Sequence, residues 1–186
     1  MPTVSVDTIF ACVSQAHAAS ALRGNLSHLA LVLAAQGSGD YTKAIAAALM
    51  TLGGLHAPLL QTYDFLTGDP AHEVELLLAT QQRVPGWGNA FVKGMPDPIW
   101  HELDGLIREQ APEWGLTLDA VTEQLHALGK RIYPNPSCYT VVAGILLGVP
   151  KAALPYLFLN GRLSAWTNEF IRITQHAPSV HSRISA

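Results

Sequence analysis

Three bends rich in glycine and proline each carry a polar side chain able to do chemistry: Gly54-Leu55-His56, Gly86-Trp87-Gly88-Asn89 and Pro134-Asn135-Pro136-Ser137. Each falls between apolar stretches, and binding or catalytic groups concentrate on connections held by a rigid scaffold. His56 stands near the start of a helix, where the positive end of the dipole disfavours imidazolium. A neutral ring there either polarises a carbonyl by hydrogen bonding or simply caps the helix, and spacing alone leaves both open. Asn89 can donate from its amide but brings no charge. Val84, Pro85, Gly86, Trp87 and Gly88 predict a tight loop with backbone N–H groups free for a ligand, with Trp87 serving that ligand or only the packing. The Ser137 hydroxyl is no base unless something activates it, and Cys138 beside it is either a nucleophile or an inert buried thiol. The eight histidines have neither HxxxH nor HxH spacing, so no metal site is expected.

The elements that must position these groups all read as helices. Ile9, Phe10, Val13 and Ala16 share one face of a helix over about 6–19. Asn25 caps a second, very apolar helix that ends at Gly37, and the two are expected to form a hairpin. Asp40 caps a third over 41–52, stopped by Gly53-Gly54. Further helices are predicted over about 57–67, 70–83, 97–110 and 117–130, with Pro58 and Asp69-Pro70 as start signals. Tyr133-Pro134-Asn135-Pro136 forms a rigid turn before an apolar helix over 138–148, ended by Pro150. The last helix, about 155–174, is apolar around much of its circumference, as a helix buried on several sides must be. No strand-type alternation bounded by turns and no internal repeat occurs, so the fold class is all-α.

The composition narrows the function. Hydrophobic residues make up 49% of the 186 positions and charged ones 13%, about half the roughly 25% usual for a soluble domain. Much of the surface is therefore expected to face another protein. The length favours one domain with a sizeable core. A net charge of −3 without any Lys/Arg run gives nucleic acid or an anionic membrane no electrostatic footprint. The longest apolar run, Val141 to Val149, is about half of the roughly 18 residues a bilayer span requires. Met1 to Asp7 has no basic n-region, so no signal peptide is expected. Cys12 and Cys138 are far apart and read as reduced thiols of a cytoplasmic protein.

At its bends the chain resembles the citrate synthase family. Gly53-Gly54-Leu55-His56 is similar to that family's G-P-L-H-G segment, Val84-Pro85-Gly86-Trp87-Gly88-Asn89 to its V-P-G-Y-G-H loop, and Tyr133-Pro134-Asn135-Pro136-Ser137-Cys138-Tyr139-Thr140 to its Y-P-N-V-D-F-Y-S stretch. Leu159-Asn160-Gly161-Arg162 resembles F-x-x-S-R-x-x-G-W, and Gly24-Asn25-Leu26-Ser27 the end of H-E-x-x-N-x-S. Order and intervals agree. The likeness covers nearly the whole chain but only the C-terminal half of a full family member.

That resemblance implies a helical fold whose active site lies between two domains. Residues 57–150 correspond to the small domain, and 1–56 with 151–186 to what is present of the large one. It also implies chemistry on a coenzyme A thioester: forming or cleaving a carbon–carbon bond beside the thioester, as citrate synthase and citryl-CoA lyase do. Carried over, His56 stabilises the thioester enolate, Asn89 stands where a histidine polarises the second carbonyl, Ser137 replaces the proton-abstracting Asp, and Arg162 binds a carboxylate. Val84, Pro85, Gly86, Trp87 and Gly88 cradle coenzyme A, and Lys93 meets a phosphate unless it is a solvated surface lysine. Ile99 replaces an arginine and Ala21 a histidine, so ordinary citrate synthase activity is not expected. The resulting expectation is a citryl-CoA-lyase-type lyase or an acyltransferase. The alternative is a catalytically impaired CoA-binding or partner subunit of a full-length homologue. The implied assembly is a homodimer, or a hetero-oligomer with a longer homologue.

Overall fold

Side-chain caps mark where several of the helices begin. Asn25 Oδ1 accepts from His28 N–H at 3.0 Å, Asp40 Oδ1 from Lys43 N–H at 3.0 Å, and Asn135 Oδ1 from Ser137 N–H at 2.9 Å. Each satisfies a donor the first turn would otherwise leave open, worth about 1 kcal/mol. In the computed structural model, which describes residues 5–52 and 56–176, the chain is a set of α-helices with no strand among the described residues. They are α1 (Val6–Ser20), α2 (Leu26–Ser38), α3 (Tyr41–Met50), α4 (Leu59–Thr67), α5 (Pro70–Ala79), α6 (His101–Gln110), α7 (Pro112–Ala127), α8 (Pro136–Leu146) and α9 (Leu154–His176). One-turn 3-10 helices at Pro98–Trp100 and Lys151–Ala153 lead into α6 and α9. The all-α expectation holds. The Gly53-Gly54 stop lies outside the described residues.

The pairing of helices differs from the expected one. The hairpin partner of α2 is α3, while α1 lies against α8 and α9 and near α6. Small residues explain the exchange: α3 buries Ala44 and Ala48 against Leu31 and Ala35 of α2, which lets the two backbones approach. A second difference is α7, which begins at Pro112 rather than 117. Gly115 lies inside the helix, where a Cβ would stand 3.0 Å from Arg108 Cγ, so it serves close packing of α7 on α6.

Two apolar clusters hold the molecule. One joins α1 and α4 to α9 around Trp100, Leu103, Val141, Val142 and Phe158; the other joins α2, α3 and the second half of α9 around Leu31 and Trp166. Helix α8 is buried continuously from Ser137 to Gly144. The 23-residue α9 touches α1, α2, α3, α4 and α8 and runs through both clusters. It carries Phe158 and Arg162 one turn apart, on the same face. The bends before α4 and α8 and the bend after α5 therefore open beside that spine.

Candidate functional site

The loop after α5 is locked to the turn before α8. Gly88 N–H donates to Tyr133 C=O at 2.9 Å, Asn135 N–H to Gly86 C=O at 2.8 Å, and Asn135 Nδ2 to Gly88 C=O at 3.0 Å. Trp87 N–H donates to Val84 C=O at 3.2 Å. The expectation of free backbone donors thus fails at Trp87 and Gly88, whose N–H groups hold the loop itself. Gly86 has no alternative residue: its φ is +83°, and a Cβ would lie 2.8 Å from Thr62 Cγ2 and 3.2 Å from Cys138 Cβ. Trp87 is buried, donates from Nε1 to Thr122 Oγ1 at 3.1 Å and meets Phe65 edge-on. It packs, and it also forms one wall of a groove.

That groove measures about 860 Å³, is walled by Leu78, Val84, Trp87 and Ile132, and is rimmed by Arg83, Lys93, Lys130 and Arg131. All four basic side chains are on exposed residues. Arg83, Gly88, Asn89 and Ala90 also line a neighbouring cavity of about 200 Å³. Into that smaller cavity the fold brings His56, Asn89, Ser137 and Arg162. Its walls come from both sides of the chain, with Ser20, Arg23, Asn25, Phe158 and Arg162 opposite Arg83, Asn89 and Ser137.

His56 does not cap α4, whose first turn has no side-chain cap. Ala57 turns the chain through a left-handed φ of 55°, uncommon for alanine, and the ring instead reaches α2, with Nε2 at 3.3 Å from Ser27 Oγ. Ser27 Oγ donates to Asn25 Oδ1 at 2.7 Å. Its one proton being so engaged, the serine accepts from His56 Nε2–H, and Nδ1 keeps its lone pair. Burial, and then the nearby Arg162 charge, lower the His56 pKa below 6.5. The ring is neutral at pH 7, as expected, but through burial and a neighbouring cation rather than through a helix dipole.

Arg162 is 3% exposed. Its guanidinium lies 4.3 Å over the Phe158 ring and donates from Nη2 to Ser20 Oγ at 3.3 Å, while Nε and Nη1 are buried without a partner. Burial, with Arg23 second, lowers its pKa to about 10, so the group stays charged at neutral pH. Buried donors without acceptors cost of order 1–3 kcal/mol each, more when charged, and Arg162 lines the small cavity.

Asn89 is less free than the sequence implied. Its Nδ2 donates to Asp97 Oδ2 at 2.9 Å and its Oδ1 accepts from Phe91 N–H at 2.9 Å. Asp97 also takes both terminal nitrogens of Arg23, at 2.6 and 3.2 Å. Arg23 and Asp97, at the centre of this cluster, escaped the sequence reading, since their pairing spans 74 positions and matches no motif. Ser137 is buried at the start of α8, and no carboxylate lines the small cavity among the described residues. Cys138 is fully buried, and burial pushes its thiol well above the usual range, so it is the inert thiol of the two readings. Among the described residues no group of three or more His, Cys, Asp or Glu could hold a metal ion, and no helix is long and apolar enough to cross a membrane.

This arrangement of helices is the fold of citrate synthases and of citryl-CoA lyase. Citrate synthase from Thermotoga maritima superposes with a TM-score of 0.76 at 22% identity over 94% of this chain and 50% of its own. Citryl-CoA lyase from Hydrogenobacter thermophilus gives 0.76 at 18% identity over 95% of this chain and 72% of its own. Citrate synthase from Thermoplasma acidophilum, solved as a ternary complex with carboxymethyl coenzyme A and oxaloacetate, gives 0.71 at 21% identity over 92% of this chain and 48% of its own. The chain spans about half the length of the citrate synthases it matches. No family model and no curated protein sequence matches it.

Proposed function

We propose that the chain binds a coenzyme A thioester and makes or breaks the carbon–carbon bond next to it, as a citryl-CoA-lyase-type lyase or acyltransferase. The observation that carries this reading is the junction of the two cavities. Arg83, Gly88, Asn89 and Ala90 belong to both, so a ligand can lie with its phosphates on the basic rim and its acyl end beside His56. Lys93 is one of the rim cations that would meet a phosphate, and the small cavity is lined both from 57–150 and from the segments on either side of it, the two parts proposed as domains.

Cleavage of a β-hydroxyacyl thioester moves one proton from the hydroxyl oxygen to the carbon freed when the bond breaks. One group can do both halves, taking the proton from the hydroxyl and returning it to carbon. With its Nε2–H given to Ser27, His56 acts in this reading as a base through Nδ1 rather than as the enolate donor that the resemblance implied, so Ser137 need not be a base. Condensation is the reverse, with no net proton taken up. Asn89 fixes the loop through Asp97 and has a second amide hydrogen for the carbonyl.

The test is methyl exchange. Acetyl-CoA incubated with the protein in D2O should lose its methyl proton signal, and the rate should rise with pH and level off above a pKa below 6.5, because the neutral ring is the active form. His56→Asn should lower the rate at least about a hundredfold while coenzyme A still binds by calorimetry. No binding at millimolar coenzyme A would defeat the proposal. Binding without exchange would favour the second reading, a CoA-binding subunit without turnover, which the lack of a carboxylate in the cavity among the described residues supports. The surroundings proposed for either are cytoplasmic, and the proposed assembly is a homodimer through α2, with a longer homologue as the alternative partner.

A further inference from the structure

We infer that the small cavity admits one carboxylate and no more, so that the acid reacting beside the thioester is a 2-oxo monocarboxylate. This rests on the reading above, and its basis is the state of the three guanidinium groups in the cavity wall. Arg162 is buried, charged, and has Nε and Nη1 without partners. Arg23 is already neutralised: both terminal nitrogens are held by Asp97, itself buried, at 2.6 and 3.2 Å. Arg83 is exposed at the mouth shared with the groove, where water screens it. One anion therefore finds one unmatched buried cation.

A second carboxylate would enter a space walled by Ala57, Pro58, Ala90, Phe91 and Phe158, where the remaining polar side chains, the hydroxyls of Ser20 and Ser137, the amides of Asn25, Asn89 and Asn135 and the His56 ring, are neutral. Taking a second charge out of water there without a cation of its own is strongly unfavourable. Asp97 adds to the penalty, since it cannot leave Arg23 without exposing its own buried charge. A hydrogen or a methyl group suits those walls. The electrophilic carbonyl is required by the bond-forming reaction, and the single carboxylate by Arg162.

The experiment titrates pyruvate, glyoxylate and oxaloacetate into the protein saturated with coenzyme A, after coenzyme A alone has been titrated. Pyruvate or glyoxylate should bind at least about tenfold more tightly than oxaloacetate. Arg162→Gln should weaken the monocarboxylates at least about tenfold with coenzyme A affinity retained. Asp97→Asn releases Arg23, and should narrow or reverse the preference. If that variant does not fold, the wild-type comparison and Arg162→Gln still decide. Equal or tighter binding of oxaloacetate by the wild type, or binding of no acid while coenzyme A binds, would overturn this inference alone. Failure of coenzyme A itself to bind would instead overturn the function it rests on.

Discussion

At the scale of single residues, the most telling titratable group is one the chemistry does not use. His17 is fully buried, with Nε2 at 2.7 Å from Thr140 Oγ1, and Trp100 and Phe158 pack edge-on around it. Thr140 gives its own proton to Pro136 C=O at 2.6 Å, so the imidazole must donate, which fixes a neutral tautomer with Nδ1 buried and unpaired. Burial, then Arg162, lower its pKa well below 6.5. The unfolded chain takes up that proton near 6.5 and the folded one does not. Stability is therefore full above 6.5 and is lost as the pH falls toward the folded value, with His56 adding in the same sense. Melting temperature should drop between pH 7 and pH 5, and His17→Gln, though less stable at pH 8, should show a shallower drop. Parallel profiles for the two proteins would refute this. The residue type and its place on α1 were readable in the sequence, but the partner Thr140 lies 123 positions away. Arg23 and Asp97 were hidden for the same reason, whereas His56 and Ser137 were legible because short runs of glycine and proline announce their bends.

At the scale of elements, the glycine at position 161 stands for what sequence periodicity can and cannot supply. The apolar circumference of α9 located that helix to within two residues at its far end, but nothing in the pattern said which helix would cross it. The crossing partner is α1, and Gly161 is the point of closest approach: a Cβ there would stand 2.5 Å from His17 Cβ and 2.9 Å from Ser14 C=O. Gly161→Ala must push the helices apart, at a cost of about 1–3 kcal/mol from overpacking. Gly37 in α2 is the control, for a Cβ at that position meets nothing within 4 Å. Gly37→Ala should stabilise by about 0.5–1 kcal/mol, the ordinary helix propensity difference. Chemical denaturation of both variants measures the two signs, and equal effects would mean that the α1–α9 crossing is looser than described. The same logic explains the mistaken α1–α2 hairpin: adjacency in sequence favours neighbours, but the alanine stripe of α3 gives α2 a closer seat.

At the scale of the whole molecule, the low charge content has a location. Helix α2 buries Ser27, Leu31 and Ala35 on the side facing its neighbours and presents Leu26, Leu29 and Leu33 to solvent, the last 70% exposed. Spacing of three and four residues puts those leucines on one stripe of the helix. Ile171 on α9 and Met50 at the end of α3 are exposed as well. A stripe of this kind is poorly tolerated on a monomer, and a second copy related by a two-fold axis would cover leucine with leucine. Sedimentation at micromolar concentration should therefore report a dimer. Leu29→Glu combined with Leu33→Glu places like charges at the axis and removes about 2 kcal/mol of apolar burial per side chain. The double variant should sediment as a monomer with unchanged helix content by circular dichroism, since neither residue supports its own fold. A wild-type monomer would leave the stripe to a different chain, and a variant that stays dimeric would move the interface off α2.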